Sequence, residues 1–430
     1  MKFVADLHIH SKFSRATSRE MILDTLAYWA KLKGIFLLAT GDFTHPEWLF
    51  LIKEKLEPKG NGFFRLKKLL PQPNEYLKNI SFSPEDVSFI LSTEISFIYS
   101  KKGKVRKIHI LLLAPDLESV DKLNNKLSGL GNLRSDGRPI MGLDAKNFVK
   151  IVADLCPGCV VIPAHIWTPW FSLFGANSGF DSIEECFEEM TPFIFALETG
   201  LSSDPAMNWR LSCLDKYTLV SNSDAHSPSK IGREANVFDT EFSYQGLVEV
   251  LKSKDPEKFL YTIEFYPEEG KYHYDGHRKC GVIFSPQETI QHKYICPQCG
   301  KKLTVGVLHR IVELADREEK NSPPSKIPYK NLIPLNEIIA GAVEKTTACK
   351  SVWDIYFRLI HEFKNEHKIL TEIPIAELKQ FNPERISLGI ERMRKGEIKI
   401  VPGHDGCFGK ISLFEKEVSG EETEHQLKLF

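Results

Sequence analysis

The chain has 430 residues, 42% hydrophobic and 26% charged, with 56 Lys+Arg against 57 Asp+Glu for a net charge of −1. That length suits two to three domains, and the composition excludes a mainly disordered chain, a collagen-like one and a disulfide-dense mini-protein. No stretch approaches the roughly 18 uninterrupted apolar residues of a membrane span, and Met1-Lys2-Phe3-Val4-Ala5-Asp6 lacks the apolar run of a signal peptide, so the expectation is a cytoplasmic protein.

Short apolar runs alternate with helix-like stretches up to about residue 266, the pattern of an α/β domain. Seven strands are predicted: Phe3–Ile9, Ile35–Thr40, Phe89–Ile95, Ile108–Ala114, Val160–Ala164, Phe193–Leu197 and Thr218–Ser221. The segment Glu57–Asn79, with Pro, Gly and Lys, reads as an insertion between strands. From Tyr266 to about Arg310 the composition shifts to His, Cys, Lys and Gly, and Asn321-Ser322-Pro323-Pro324-Ser325 reads as a linker. Helices are expected at Leu335–Glu344, Val352–His367 and Pro383–Arg394, then a β ribbon over Ile398–Phe414 turning at Pro402-Gly403-His404-Asp405-Gly406. The predicted division is 1–266, 267–318 and 326–430.

Each of the seven runs leads into, or contains, a metal-binding residue type. In chain order these are His8 and His10, Asp42 with His45, Glu94, His109, His165, Glu198, and Asp224 with His226. One such residue would read as a cap or a satisfied core group, but caps are mostly Ser, Thr, Asn or Asp. In a parallel α/β barrel the C-terminal strand ends converge on one face. His8 and His10, two apart on a strand, point the same way, and Asp224 and His226 repeat the spacing. Imidazoles with carboxylates suit Zn, Mn or Fe more than Ca or Mg. More than four ligands implies more than one metal, and Glu94 could bridge two. Two metals about 3.5–4 Å apart form the arrangement used for phosphoester hydrolysis. No Cys-His or Gly-x-Ser-x-Gly nucleophile competes for the role.

Together these motifs resemble the PHP (polymerase and histidinol phosphatase) superfamily over roughly residues 1–240. The resemblance implies a PHP-type distorted (β/α)7 barrel with two to three divalent metals (Zn, Mn, Fe or Mg). Carried over, one metal would be held by His8, His10, Glu94 and Asp224, and a second by Glu94, His109 and His165. A third would use His226 with His45 or Asp42. Ser11-Lys12-Phe13-Ser14-Arg15 departs from the acidic residue or His that many members carry after the first motif.

The nine cysteines, without a secretory signal, point to metal before disulfide where they cluster. His277-Arg278-Lys279-Cys280 and Cys296-Pro297-Gln298-Cys299, each followed by a glycine, have the two-knuckle spacing of one structural zinc. His273 or His292 could replace His277. Residues 271–330 hold 11 Lys/Arg against 6 Asp/Glu, a basic face suited to phosphate or simply to solvent. Cys156-Pro157-Gly158-Cys159 lacks a redox context and reads as structural. Cys186, Cys213, Cys349 and Cys407 read as small buried hydrophobes.

Three aromatics follow His165: Trp167, Trp170 and Phe171. They could pack under the loop or stack on a base. Lys230 and Arg233 are either stabilisers of developing charge or ordinary surface ion-pair residues, and Glu198 either orients a ligand or merely ends a strand.

The order of barrel, zinc knuckles and helical tail resembles the endonuclease Q family over nearly the whole chain. That resemblance implies a monomeric DNA-repair endodeoxyribonuclease acting on damaged single- or double-stranded DNA. It would cut 5′ of deoxyuridine, deoxyinosine, deoxyxanthosine and abasic sites, leaving a 3′-hydroxyl and a 5′-phosphate. Asp224, Glu94, His226 and Arg233 would be catalytic, with Trp167, Trp170, Phe171, Lys230 and Glu198 near substrate. A sliding clamp is a further candidate partner, though Glu424–Phe430 matches a clamp-binding peptide poorly. The competing readings are a histidinol-phosphatase-like phosphomonoesterase, which leaves the zinc module and tail without a role, and a non-enzymatic damage-binding scaffold.

Overall fold

The computed structural model describes residues 1–68, 82–381 and 383–414. The proposed clamp-binding tail lies outside these, as does part of the 57–79 insertion.

The first domain carries β1 (Lys2–Asp6), β2 (Leu37–Ala39), β3 (Leu56–Pro58), β4 (Phe64–Leu66), β5 (Ser88–Lys101), β6 (Lys104–Ala114), β7 (Ile140–Met141), β8 (Val160–Pro163), β9 (Ala196–Glu198), β10 (Thr218–Val220), β11 (Ala235–Asp239) and β12 (Phe259–Glu264). All seven predicted strands are present, and seven strands line the barrel: β1, β2, β5, β6, β8, β9 and β10. Parallel pairs join β1 to β2, β2 to β5, and β9 to β10. The barrel closes where the chain beyond β1 meets the chain beyond β10, through an Ile9–Ala225 bridge and a Leu7 N–H bond to Asn222 Oδ1.

The expectation of a parallel barrel needs correction at β6, which runs antiparallel to both β5 and β8. The cause is local. Lys102 and Gly103 both have positive φ, 52° and 74°, the two-residue turn that folds a chain straight back. The predicted third strand therefore does not end at Ile95, just past Glu94, but continues to Lys101. Glu94 and His109 sit within a long hairpin, on the side chains' inner face. The strands outside the predicted set are β3, β4, β7, β11 and β12. β11 and β12 extend the sheet beyond β1, both antiparallel.

The segment of the predicted zinc site holds the hairpin β13 (Asp275–His277) and β14 (Val282–Phe284). After the linker, β15 (Tyr329–Asn331) adds to the barrel's own sheet, parallel to β12. The three predicted C-terminal helices appear at Leu335–Ala342, Lys350–Phe363 and Glu384–Lys395. The second stops short of its predicted end, Lys364 taking a positive φ of 78°, and a separate helix follows at Glu366–Thr371, with β16 (Lys399–Val401) and β17 (Lys410–Ser412) after the last. Among the described residues no helix is long and apolar enough to cross a membrane.

The helical domain is fused to the barrel. Trp29 meets Trp353 edge-to-face at 5.7 Å, and both belong to one continuous apolar core. At the seam Lys33 Nζ lies 2.5 Å from Glu366 Oε2, both side chains buried. Glu366 also accepts from Tyr356 Oη at 2.7 Å and from the Leu335 N–H at 3.1 Å. Removing one member of a buried pair strands the other charge, at about 3–5 kcal/mol. Glu366→Ala should lower stability by that much in urea unfolding, and a Lys33→Met/Glu366→Leu double variant should recover most of it.

A second buried pair titrates. Burial first, then the charge of Glu264, holds Glu234 well above the carboxylate range, and burial pushes Glu264 from 4.5 up to about 8. A carboxyl raised on folding favours the native state fully below its unfolded pKa and loses that advantage as pH rises toward the folded value. Stability should fall between pH 4.5 and about 8, by up to about 1.4 kcal/mol per pH unit for Glu264. Glu264→Gln should flatten that slope in urea midpoints measured across the window.

Candidate metal centre

Four carboxylates (Glu94, Asp224, Asp42, Glu198) and five imidazoles (His8, His10, His109, His165, His226) converge inside the barrel mouth. His10 Nε2 lies 3.2 Å from Glu94 Oε2 and 3.1 Å from Asp224 Oδ1. His8 Nε2 lies 3.7 Å from Glu94 Oε2 and 3.9 Å from Asp224 Oδ1. On the other side of the same carboxylate, Glu94 Oε1 is 2.7 Å from His109 Nδ1 and 2.9 Å from His165 Nε2. Glu94 thus presents one oxygen to each group. A third group joins His10, Asp224 and His226, with the His10 and His226 rings 4.6 Å apart.

Ligand atoms about 2.0–2.2 Å from one tetrahedral ion stand roughly 3.3–3.6 Å from each other, and the contacts here bracket that spacing, from 2.7 to 3.9 Å. His8 Nε2, His10 Nε2 and Asp224 Oδ1 are buried with no hydrogen-bond partner, a costly state for polar atoms unless an ion satisfies them. Among the described residues, the only Lys or Arg ion-paired with any of Glu94, Asp224, Asp42 and Glu198 is Arg138, whose Nη1 is 3.1 Å from Glu94 Oε2. Such an excess of negative charge suits divalent cations.

The remaining ring nitrogens are each held. His8 Nδ1 donates to Glu198 at 3.0 Å, and Glu198 also accepts from Asn222 Nδ2 at 2.7 Å and the His165 N–H at 2.9 Å. His10 Nδ1 donates to Asp42 Oδ1 at 3.0 Å, while Ser11 and Ser14 satisfy the other Asp42 oxygen. His109 Nε2 meets Ser96 Oγ at 2.7 Å, His165 Nδ1 meets Thr168 Oγ1 at 3.2 Å, and His226 Nδ1 donates to the Asp224 carbonyl at 2.9 Å. Bonds of this kind fix ring orientation and tautomer, leaving the opposite nitrogen to ligate. Glu198 is therefore the orienting carboxylate rather than a mere strand end. Glu198→Gln should weaken metal retention and activity about 10- to 100-fold, read as metal content after gel filtration and as turnover.

Electrostatics follow the geometry. Burial alone would depress His8 and His10, but Glu198 and Glu94 around the first, and Asp42, Asp224 and Glu94 around the second, outweigh it and hold both well above the ordinary histidine value. Burial, outweighing the neighbouring Glu94 charge, pushes His109 down to about 4. Asp42 and Asp224 at strand ends, with His165, have positive φ of 50°, 45° and 31°, sparsely populated for such residues and frequent at functional sites.

The structure does not bring every predicted residue into these groups. Asp42 stands behind His10 as its partner, and His45 stacks on Phe13 at 4.4 Å outside all three groups. The expectation that one of them shares an ion with His226 gives way to His10 and Asp224 in that role. Trp167 is 1% exposed, stacked near Phe174 and bonded to Asn208. It is a core residue, correcting its assignment to substrate. Phe171 packs on His109 at 4.8 Å and Trp170 is 46% exposed. Lys230 pairs with Glu337 at 3.0 Å, and Arg233 Nε donates to the Ser223 carbonyl at 2.9 Å. Neither reaches the ligand groups. Arg138 is the cation that does, and sequence reading missed it. It sits in a loop with no strand rhythm, delivered by Gly137, where a Cβ would fall 2.3 Å from Asp42 Oδ2.

His277, Cys280, Cys296 and Cys299 form a separate group with ligand atoms within 4.8 Å of one another. His273 is buried against Tyr274 and His292 stacks on Phe284, which leaves His277 as the fourth member. Cys156 donates to the Ser119 carbonyl, and burial raises both thiols of the Cys156/Cys159 pair, consistent with a structural role. Of the four scattered cysteines only Cys186 is fully buried, and Cys213 is exposed.

A closed α/β barrel with linked His/Asp/Glu groups at its mouth is the arrangement that the PHP resemblance implies. The model of the MJ0043 C-terminal domain matches residues 334–397. Among curated relatives, the uncharacterized protein MJ0043 of Methanocaldococcus jannaschii is 34% identical over 261 residues, 59% of this chain, which spans about a third (32%) of that relative's length. The uncharacterized protein YqxK of Bacillus subtilis is 30% identical over 95% of this chain and 99% of its own. The lesion-specific endonuclease PfuEndoQ from Pyrococcus furiosus superposes with a TM-score of 0.83 at 30% identity, covering 98% of both chains. An endonuclease Q bound to a 27-mer duplex substrate with an abasic lesion at the active site gives 0.82 at 30% identity, covering 99% of this chain and 100% of that one. The chain belongs to the endonuclease Q family.

Proposed function

We propose that this protein is a DNA-repair endonuclease that hydrolyses the phosphodiester 5′ of deoxyuridine, deoxyinosine, deoxyxanthosine and abasic sites, leaving a 3′-hydroxyl and a 5′-phosphate. The observation that carries the reading is Glu94 shared between two imidazole groups in a chain of this family. A solved relative holding duplex DNA with an abasic lesion at its active site supports the substrate class.

His8, His10, Glu94 and Asp224 would hold one ion, Glu94, His109 and His165 a second, and His10, Asp224 and His226 the site of a third. When bound, such ions lower the pKa of water and neutralise charge on the attacked phosphate. The protein's own part is positioning. Glu198, Asp42 and Ser96 fix the imidazoles, and Arg138 places a guanidinium beside Glu94 where charge develops on phosphate oxygens. The basic zinc segment holds the backbone without reading sequence. A damaged nucleotide leaves the stack most cheaply where its pairing is already weak, and Trp170 and Phe171 border the space beside His109.

The test is incubation with Mn or Mg and end-labelled DNA bearing one of the four lesions, beside an undamaged control and Asp224→Asn. A nick 5′ of the lesion, absent from the control and lost in the variant, is expected. Hydrolysis of a phosphomonoester with no nick on any lesion would overturn the proposal.

A further inference from the structure

Phe408, at 70%, is more exposed than any other large apolar side chain among the described residues. A single exposed apolar residue means little by itself. Phe408 differs in how rigidly it is held and in what surrounds it. It lies between β16 and β17, at a turn tied to the zinc segment along its length. Gly403 N–H and Gly409 N–H donate to the carbonyls of Glu268 and Glu269 at 2.7 and 3.1 Å. Gly406 N–H donates to the Lys271 carbonyl at 2.9 Å. Asp405 accepts from the Arg278 N–H at 2.7 Å and from Thr304 Oγ1 at 2.6 Å. At Gly409 a Cβ would collide with the Glu268 carbonyl, so the residue beside Phe408 is restricted to the close approach glycine allows. The structure thus fixes a phenyl ring in solvent on a braced turn.

The surroundings are cationic and aromatic. Lys271 Nζ lies 4.4 Å from the Phe408 ring centroid. Arg278 lies against the same turn, and Arg278, Lys279 and Lys410 are exposed. Tyr272 meets Trp170 edge-to-face at 5.8 Å, and Phe171, next to Trp170, covers the ligand His109. A row of rings therefore runs from the metal centre to the turn, flanked by charge complementary to phosphate. Proteins that unstack duplex steps insert Phe, Leu, Ile, Met or Pro between bases while cations hold the backbone.

Resting on the function proposed above, we infer that Phe408 is a duplex wedge: it enters the base stack beside the damaged nucleotide and occupies the space vacated when that nucleotide turns toward the metal centre. The partner is duplex DNA, and a single strand, having no stack to open, has no need of the wedge.

The experiment compares wild type, Phe408→Ala and Phe408→Trp on one lesion sequence presented as a duplex and as a single strand. The side chain is exposed and its ring contact is with Lys271, so the alanine variant is expected to fold. Phe408→Ala should lose about ten-fold or more on the duplex, the scale of one base–aromatic stack, and little on the single strand. Phe408→Trp should restore duplex cleavage. Equal losses on both substrates, or none on the duplex, would overturn the wedge. A 2-aminopurine next to the lesion reads the same step without cleavage: its emission should rise when wild type binds and not when Phe408→Ala binds. No rise with wild type overturns the wedge. A rise without nicking leaves it standing and removes the endonuclease reading instead.

Discussion

Glu94→Gln should be the most damaging single substitution in the catalytic domain. Among the described residues, Glu94 alone touches both the His8/His10 and the His109/His165 pairs, one oxygen on each. Glutamine keeps the volume and removes the charge, so the buried hairpin position is retained while two ions lose a ligand. Charge stabilisation by one catalytic ion is worth several kcal/mol. Taking ~3 kcal/mol for each of two ions, the loss is ~6 kcal/mol, about 10⁴-fold in rate. His165→Gln touches only the His109/His165 group and should cost about 10²-fold by the same reckoning. Rates on a lesion-bearing duplex, with elemental analysis of each variant and circular dichroism to show retained fold, check the ranking. If His165→Gln proved worse than Glu94→Gln, Glu94 would not be the shared ligand.

That ranking depends on geometry only partly legible in the sequence. The ligand residues were readable because each stands on or just after a short apolar run, and because x-His-x-His alternation places two imidazoles on one strand face. What was unreadable came from segments without periodicity. β6 reverses direction because of two residues, Lys102 and Gly103, in an otherwise unremarked turn. Arg138 reaches Glu94 from a loop, through a glycine whose need is set by Asp42, a residue distant in sequence. Asp42 and His45 looked alike as strand-end ligands, and only the placement of Ser11 and Ser14 around Asp42 separates partner from ligand. Trp167, Trp170 and Phe171 are near neighbours in sequence, yet one is core and one is exposed. Alternating or clustered aromatics carry no signal of which face they take until the loop's hydrogen bonds, such as Trp167 to Asn208, are known.

Cys296→Ser should unfold the zinc segment and take duplex cleavage with it. The segment's own apolar cluster consists of Val282, Cys296 and Leu303, with Cys280 and Phe284 against it. Burying a side chain of that size contributes about 1.5–3 kcal/mol. Two such aliphatic residues and a thiol cannot offset the cost of ordering some thirty residues at roughly 1–2 kcal/mol each. A structural zinc supplies about 10–16 kcal/mol in comparable small modules, so the four-ligand group is what makes this segment a folded unit. The consequence reaches beyond the segment, because the turn bearing Phe408 is braced by the carbonyls of Glu268, Glu269 and Lys271 and by the Arg278 N–H. Hydrogen exchange should therefore rise in Cys296→Ser over residues 275–304 and again around residues 403–409, while β5 and β6 stay protected. The variant should lose one equivalent of zinc. Its cleavage of a lesion in duplex DNA should fall much further than its cleavage of the same lesion in a single strand, since the metal centre itself is untouched. Uniform loss of protection through β5 and β6 would instead mean that the zinc segment holds the barrel together, and that its position beside the aromatic row serves stability before it serves DNA.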